Sequence, residues 1–409
     1  MTDPVIREAG DLLVDWFGLA LAGRGSRPVE SVAHFADGMG PLDGQSEALI
    51  NCGHTSAHFA AMVDAAASHL AERDDVHNGS VFHPPTVAGY QVGIRIGELL
   101  GCSHYRLFHT TSTAFTLAAA AVGNLLGLDV AEVPHPFGSA GTQTAGLRDF
   151  LRTGADSKQF PTAHASSAGL MTAHRDRGGF TGAQQILEGP QGMAAYMSSD
   201  ADPARLTDGL GTRWATVATS FKFHASCRHR PPADDALLQV MKARHLKQGE
   251  LARVVTLVHQ GAINVLGSVT DSAAVHQSKF AMGTVLALVA RFGYAGLPEF
   301  DQHFRDEATL ELFERISMEL DGEVDRAYRL RWIGKVTATT NDGRLLQGRG
   351  GEPKGELGNA LSCDEISTKV LHHAAYSGGA RPAEVQAALE ALWDVARCPK
   401  LEPLLRSVM

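Results

Sequence analysis

Apolar residues in the first half of the chain recur every three or four positions, a spacing that predicts amphipathic helices. The clearest stretches cover residues 12–23, 57–72, 86–100 and 113–126, and a glycine ends or follows several of them. Their apolar faces are rich in Ala and Gly, so these helices can approach one another closely. The region from about residue 5 to 220 is therefore predicted to be mainly helical.

A different pattern begins at about residue 235. Residues 253–260 and 334–340 alternate with β-branched side chains, which is typical of strands. Residues 280–292 and 308–320 have helical periodicity, and the chain returns to helix after about residue 365. The order of these elements predicts two domains, one helical and one that mixes helices with strands.

The composition is that of an ordinary globular protein, since 44% of the 409 residues are hydrophobic and 20% are charged. A net charge of −9 argues against a nucleic-acid partner, because phosphate backbones are bound by clustered Lys and Arg. We expect no signal peptide, because the N-terminus lacks a basic region followed by an apolar core. We expect no membrane partner, because no apolar run approaches the ~18 residues of a membrane span. The five cysteines are scattered without a C-x-x-C pair, which fits reduced thiols and a cytoplasmic protein.

The densest group of reactive side chains lies at residues 69–84, here called the acid–histidine segment. Its sequence, H-L-A-E-R-D-D-V-H-N-G-S-V-F-H-P, follows a predicted Ala-rich helix and ends at the helix-breaking Pro84-Pro85. Imidazole and carboxylate groups exchange protons near neutral pH, so the segment suits general acid/base chemistry. The alternative is a solvated helix end followed by a loop.

The acid–histidine segment resembles the E-x-D-D-x-H…H-P signature of the MmgE/PrpD family, which includes 2-methylcitrate dehydratase, cis-aconitate decarboxylase and iminodisuccinate epimerase. Further segments are similar to motifs of that family and occur in the same order. They are Arg106-Leu-Phe-His109-Thr, Gly138-Ser-Ala-Gly-Thr-Gln-Thr-Ala-Gly-Leu147, Ala155-Asp-Ser-Lys158 with Ala163-His164-Ala165, Gly179-Phe-Thr-Gly182 with Ile186-Leu-Glu-Gly189, Lys222-Phe-His-Ala-Ser-Cys-Arg-His229, and Thr339-Thr-Asn-Asp-Gly-Arg344 with Pro353-Lys-Gly355.

One departure from the family pattern stands beside the proposed site. In the family, an Ala- and Leu-rich helix follows the H-P pair, whereas here His83-Pro84-Pro85 runs almost directly into Thr86-Val-Ala-Gly-Tyr90. A helical hairpin of the family is missing, either because this is a compact variant or because the sequence omits a segment.

The resemblance implies a mainly α fold, with a large all-helical domain at residues 1–225 and 365–409 and a smaller α+β domain at residues 226–364. It also implies a homodimeric enzyme that uses no metal or other cofactor and acts on a small di- or tricarboxylic acid. Removal of a proton α to a carboxylate is the step that its dehydratases, epimerases and decarboxylases can share. The S-C-R-H form of the lysine motif lies closer to the epimerase-like and unassigned branches than to the decarboxylases.

The resemblance also assigns roles within the acid–histidine segment. His83 is the candidate proton carrier, because the histidine of the H-P pair is an active-site residue in relatives; without the family, a loop histidine is usually structural. Glu72 and Asp75 are assigned to the site, and His77 to substrate binding, although loop lengths vary there. A cluster of acids at a helix C-terminus opposes the helix dipole, which also indicates a partner for them.

Two lysines are the candidate cations. Lys158 and Lys222 fall at lysine positions of the family motifs that face the substrate, where fixed positive charge can stabilise an enolate-like transition state; most lysines are instead surface charges. Cys227 occupies a position where decarboxylases carry histidine, and it is either a substrate contact or an inert buried cysteine. Arg228 and His229 either bind a carboxylate or are structural.

His109, Thr111 and His164 complete the substrate-binding residues that the resemblance implies, although Thr111 could instead cap the following helix.

Three alternatives concern other functions. His69, Asp75, His77 and His83 carry donors that suit zinc or iron, but we expect no metal because the family works without one. The Gly-rich residues 347–355 are expected to form a surface hairpin loop rather than a phosphate loop. A catalytically silent binding or scaffold protein would explain the missing hairpin, although the intact lysine and H-P motifs disfavour it.

Overall fold

The computed structural model describes residues 3–41, 43–77, 87–109, 113, 121–150, 155–267, 273–328, 330–398 and 403–405. The chain forms two compact units, Met1–Thr219 with Ser362–Met409, the helical unit, and Ser220–Leu361, the α+β unit. The described chain is mainly helical with a few small sheets, which confirms the prediction of a mainly α protein. No helix within the described ranges is both long and apolar enough to cross a bilayer.

The first part of the chain is built from helices joined by short strands. Its helices are α1 (Asp3–Ala22), α2 (Arg27–Met39), α3 (Ala57–Ser68), α4 (Val87–His104), α5 (Val122–Leu125), α6 (Pro134–Thr142), α7 (Gln159–Asp176) and α8 (Met193–Met197). Its strands are β1 (Ser46–Ala48), β2 (Gly53–Thr55), β3 (Val76–His77) and β4 (Thr219–Ser220), and 3-10 helices cover Asp156–Lys158, Pro203–Leu206 and Ala215–Ala218.

The α+β unit alternates helices and strands, and the chain then returns to the helical unit. Its helices are α9 (Pro231–Arg244), α10 (Gln260–Leu266), α11 (Val275–Ser278), α12 (Met282–Phe292), α13 (Leu297–His303), α14 (Glu307–Phe313) and α15 (Gly322–Ala327). Its strands are β5 (Leu251–Val258), β6 (Ile316–Leu320), β7 (Gly334–Thr340) and β8 (Leu345–Gly350), and Gln248–Glu250 and Leu357–Asn359 are 3-10 helices. The returning segment forms α16 (Cys363–Ser377), α17 (Pro382–Trp393) and the 3-10 helix Val395–Arg397.

Small residues set the packing of the helical unit. Gly18 of α1 lies so close to α16 that a Cβ would collide with Val370, and Gly23 meets Ala67 of α3 in the same way. Ala67 also shares a hydrophobic cluster with Ala163 of α7. These are the close helix contacts that the Ala- and Gly-rich faces predict.

A mixed four-stranded sheet organises the α+β unit in the order β6-β5-β7-β8. Strand β5 runs parallel to β6 and antiparallel to β7, so that Val254 pairs with Ile316 on one side and with Ala338 on the other. Helix α9 covers the sheet, and its Leu237 shares the hydrophobic core with Val254 and Val336. Strands β5 and β7 confirm the two strands predicted from alternation.

Strand β8 occupies part of the Gly-rich stretch that was expected to be a loop. Gly348 and Gly350 lie under α9, where a Cβ would collide with the backbone carbonyl groups of Ala236 and Pro232. Glycine in a strand often marks such a close backbone approach. Helix packing therefore explains these glycines, and the prediction of a loop is wrong for residues 347–350.

Two predicted helices end earlier in the structure. The helix predicted at residues 57–72 ends at Ser68, because the polar side chains that follow turn inward. The helix predicted at residues 308–320 ends at Phe313, because Ile316–Leu320 pairs in parallel with β5 as strand β6. For the helix predicted at residues 113–126, the structure describes helix at Thr113 and Val122–Leu125 and turns at residues 121 and 126, and residues 114–120 lie outside the described residues.

Candidate active site

The described part of the acid–histidine segment, residues 69–77, is buried in the helical unit. Its polar side chains are at most 7% exposed: His69, Glu72, Arg73, Asp74, Asp75 and His77. Polar groups at this depth require charged or hydrogen-bonding partners. The segment is therefore not a solvated helix end.

Glu72 and Lys158 form a buried ion pair. Lys158 ends the 3-10 helix Asp156–Lys158 at the start of α7, which positions its side chain against the segment. Glu72 has a φ of 54°, a left-handed conformation that costs roughly 1–3 kcal/mol in a residue other than glycine. The structure thus brings together two of the predicted catalytic residues and holds one of them in a strained backbone conformation.

Asp75 faces a different set of groups. Burial, followed by the charges of Asp15 and Asp74, raises the pKa of Asp75 well above its ordinary value, although a hydrogen bond with Tyr90 of α4 opposes the rise. Burial therefore favours the protonated form of Asp75, whereas Glu72 is held beside a cation. The two predicted acids are not equivalent.

An ion pair contributed by both ends of the chain supports the segment. Lys369 Nζ of α16 lies 2.7 Å from Asp15 Oδ1 of α1 and donates to the carbonyl oxygen of Arg73 at 2.8 Å. Arg73 Nη1 donates to His373 Nε2 at 3.1 Å, and burial lowers the pKa of His373 well below its ordinary value, so that this imidazole is a neutral acceptor. Helices α1 and α16 thereby anchor the backbone next to Glu72.

Three of the predicted or neighbouring histidines in the helical unit lie in two different environments. The rings of His69 and His109 lie side by side with centroids 5.2 Å apart, and His69 Nδ1 is 3.7 Å from Asp74 Oδ2. His77 lies in β3, where burial lowers its pKa to about 4 against the opposing charge of Glu98. The His77 imidazole is therefore neutral at neutral pH and can exchange hydrogen bonds but not supply charge.

Three other predicted residues of this unit are not part of the Glu72–Lys158 pair. His83 and Thr111 lie outside the described residues. His164 is exposed on α7, with its ring stacked on Phe160 at a centroid distance of 6.4 Å.

In the α+β unit, the predicted Lys222 lies beside a second lysine, Lys279. The two residues are 4% and 6% exposed. Burial lowers the pKa of Lys279 to about 8; the charge of Asp301 opposes this shift, and the charge of Lys222 adds to it by a smaller amount. Lys279 is therefore influenced by both an acid and a second lysine.

Arg228 is held within the α+β unit by several contacts. It forms a buried ion pair with Glu356, whose other carboxylate oxygen accepts a hydrogen bond from the Ser220 hydroxyl at 2.9 Å. Its guanidinium carbon lies 4.4 Å from the ring centroid of Trp332, and burial lowers its pKa to about 9. These contacts favour the structural alternative for Arg228.

The two residues beside Arg228 are also enclosed. The ring of His229 lies 5.1 Å from His259, 5.9 Å from Tyr328 and 6.0 Å from Trp332, measured between centroids. Cys227 packs in the hydrophobic core of the unit, which favours the inert-cysteine alternative.

For the metal alternative, the described residues contain no group of three or more His, Cys, Asp and Glu side chains arranged to hold an ion. His83, one of the four possible ligands, falls outside that part of the chain.

The chain matches the MmgE/PrpD N-terminal domain over residues 1–88 and 85–206 and the MmgE/PrpD C-terminal domain over residues 224–395. It belongs to the MmgE/PrpD family. This confirms the resemblance drawn from the motifs. No curated protein was found to match the chain.

Membership of the MmgE/PrpD family supports an enzyme and suggests an activity of the dehydratase or lyase type. The two stretches of the N-terminal match meet at residues 85–88, immediately after His83-Pro84. This is the position at which the sequence departs from the family pattern.

Sequence reasoning missed two residues that contact or flank the predicted ones. His69 was counted in the acid–histidine segment and as a possible metal ligand but was not assigned to the site, although its ring lies against that of His109. Lys279 belongs to none of the motifs quoted above, and a single lysine after a short helix gives no signal of burial. Only the fold places it next to Lys222.

Proposed function

We propose that this MmgE/PrpD protein is a cofactor-independent enzyme that removes a proton α to a carboxylate of a small di- or tricarboxylic acid. The observation that carries the proposal is the buried Glu72–Lys158 ion pair inside the acid–histidine segment. Well-packed apolar residues often stabilise a fold as well as a buried ion pair does. A reaction that needs an acid/base group beside a cation would explain why an ion pair, rather than apolar residues, is buried here.

Each group has a distinct role in this proposal. His83 carries the proton, because histidine side chains ordinarily exchange protons near neutral pH. Glu72, fixed by Lys158, orients His83, and this role suits Glu72 better than Asp75, whose pKa is raised well above its ordinary value. Lys158 and Lys222 are the candidate cations for stabilising negative charge that develops on a carboxylate in the transition state.

Three reactions can follow from the shared step. Loss of a β-hydroxyl gives a dehydratase, return of a proton to the opposite face gives an epimerase, and loss of CO₂ gives a decarboxylase. Cys227 lies in the hydrophobic core where the decarboxylase branch carries histidine, so decarboxylation is the least favoured of the three.

The test is a panel of di- and tricarboxylic acids followed by NMR in deuterated buffer. An epimerase or reversible dehydratase introduces solvent deuterium at the α or β carbon of its substrate, whereas a decarboxylase introduces it in the product and releases CO₂. Turnover without entry of solvent hydrogen and without loss of water or CO₂ would contradict the mechanism.

His83→Asn should abolish the exchange without unfolding the protein. His174→Asn is the matched control, because His174 is exposed on α7 and has no proposed role. If no member of the panel reacts or binds, the alternative of a silent binding or scaffold protein is favoured.

Cofactor independence and assembly need separate measurements. Activity should survive exhaustive chelation, and elemental analysis should find no stoichiometric metal. A zinc or iron ion in each chain, with activity lost on its removal, would overturn this part of the proposal. We also expect a homodimer, which light scattering measures directly.

A further inference from the structure

Three buried polar side chains of the helical unit take no part in the mechanism above. They are His69 and Asp74 of the acid–histidine segment and His109, and they are 5%, 6% and 9% exposed. Burial of two imidazoles and a carboxyl group costs free energy that apolar side chains of similar size would avoid. Packing alone therefore does not explain why these residue types meet here.

His69 contacts both of the other side chains. Its Nδ1 is 3.7 Å from Asp74 Oδ2, which is the distance of a charge contact and is too long for a direct hydrogen bond. The ring centroids of His69 and His109 are 5.2 Å apart, and their planes are inclined at 47°. The edge-on ring of Phe150, 5.8 Å from His109, adds an apolar contact. His69 is therefore the group through which the Asp74 carboxyl can act on His109.

The backbones that carry the two imidazoles are fixed independently of this contact. His69 is the C-cap residue of α3. The amide of His109 donates to the carbonyl oxygen of Gly146 at 2.6 Å, and the amide of Arg148 donates to the carbonyl oxygen of Leu107 at 3.2 Å. With both backbones held, the contacts between the side chains set the orientation of the rings.

His69 also places His109 near the Glu72–Lys158 ion pair. His69 precedes Glu72 by three residues, so their Cα atoms are at most about 11 Å apart. The same segment contains Asp74, whose charge contributes to the raised pKa of Asp75. The three side chains therefore adjoin the candidate active site and are not a separate cluster elsewhere in the unit.

A histidine that binds substrate depends on its polar neighbours. Its two ring nitrogens are not equivalent, and the contact made by one of them sets which nitrogen carries the proton. Partners of this kind fix both the tautomer and the orientation of functional imidazoles. A phenylalanine at residue 69 could supply the ring contact with His109 but not this choice of nitrogen.

We propose that His69 is a positioning residue of the candidate active site, which orients the substrate-binding imidazole of His109 and is itself oriented by the Asp74 carboxyl. The inference rests on the proposed function, because it takes His109 as a contact of the same substrate. His69 acts through His109 and does not itself touch the substrate.

The experiment measures deuterium entry into an acid of the panel that reacts. His69→Phe keeps a ring against His109 and removes both ring nitrogens. It should lower kcat/KM about 10- to 100-fold, because a small misplacement of a group that contacts substrate has effects of this size. His58→Phe is the matched control and should react as the wild type does, because His58 lies on the same helix, α3, and its ring contacts Phe59 at 5.0 Å.

A double-mutant cycle shows whether His69 acts through His109. In a protein that already carries His109→Gln, the addition of His69→Phe should lower kcat/KM by at most about twofold. Two independent losses that multiply would contradict the inference. NMR of isotope-labelled histidine rings gives a second readout without substrate, since Asp74→Asn should shift the His109 signals in the wild-type background but not in the His69→Phe background.

A purely structural role for His69 gives different results. If His69 only offsets the charge of Asp74, His69→Phe should lower the melting temperature and Asp74→Asn should restore it. The folded His69→Phe variant should then keep the kcat/KM of the wild type, which overturns the inference. His69→Gln, which keeps a polar group, provides the same measurements if the Phe variant does not fold.

Failure of the inference differs from failure of the proposed function. Deuterium entry that is abolished in His83→Asn but unchanged in His69→Phe and His69→Gln contradicts the inference and leaves the proposed function standing. A wild-type protein that reacts with no acid of the panel contradicts the proposed function, and the inference falls with it.

Discussion

The helical unit and the α+β unit each bury a lysine that the family motifs identify, and the charges described for the two differ. Lys158 is paired with Glu72, whereas the charge of Lys222 helps to lower the pKa of Lys279, against a larger effect of Asp301. A paired lysine has its charge balanced locally and fixes the orientation of its acid. We therefore expect removal of Lys158 to cost more stability than removal of Lys222.

The helical unit contains a second buried lysine that forms an ion pair with an acid. Lys369 is paired with Asp15 at 2.7 Å and also donates to a backbone carbonyl group. Burial is the first cause that lowers the pKa of Lys369, to about 8, and the Asp15 carboxylate opposes it. The buried lysines Lys158 and Lys369 of this unit are thus both paired with an acid.

The largest expected effect comes from breaking the balanced pair. Lys158→Met leaves the Glu72 carboxylate buried without its cation, so the free energy of unfolding should fall by about 3–5 kcal/mol and turnover should be lost. Denaturant unfolding and the deuterium assay measure the two effects. The double variant Lys158→Met/Glu72→Gln should recover most of the stability but none of the turnover. Equal stability of the single variant and the wild type would show that the pair is not coupled in this way.

The next prediction concerns a substitution that should lower activity more than it lowers stability. Lys222→Met should lower kcat/KM by about 10²–10³, because a charge that stabilises the transition state is removed. Its melting temperature should fall by less than that of Lys158→Met, because the substitution also removes a like charge that lowers the pKa of Lys279. A loss of stability as large as that of Lys158→Met would erase the contrast between the two units.

A smaller effect tests which cations of the α+β unit are structural. Glu356→Gln weakens the ion pair with Arg228, so the free energy of unfolding should fall by about 1–3 kcal/mol. Affinity for the carboxylate panel should stay unchanged if Arg228 only supports the fold. Tighter anion binding in calorimetry would instead place Arg228 in the substrate site.

Local patterns predicted the elements, but not how distant residues meet. Strand β7 occurs where alternation placed it, because its buried and exposed positions alternate in the folded sheet. Strand β6 was predicted as helix, since its five residues follow a helix and become a strand only by pairing with β5. Motifs identified Glu72 and Lys158 separately, and the family supplied their roles. Their pairing and the approach of Lys279 to Lys222 depend on long-range packing, for which one sequence carries no local signal.

The smallest effect concerns a buried acid of the helical unit for which no role is proposed. Asp64 of α3 accepts a hydrogen bond from the Leu49 amide at 2.8 Å, and burial raises its pKa to about 8. The folded protein therefore keeps a proton that the unfolded chain releases above its ordinary pKa of about 4, so stability should fall as pH rises from about 4 to about 8. Asp64→Asn keeps the acceptor for Leu49 and removes the ionisation. It should equal the wild type near pH 4 and exceed it by about 1–2 kcal/mol near pH 5, with a difference that widens towards pH 8, measured by urea unfolding from pH 4 to pH 8. A gain that does not depend on pH would contradict this account. A gain that grows with pH would show the cost of burying a carboxyl group without a cation, which is the cost that Lys158 offsets for Glu72.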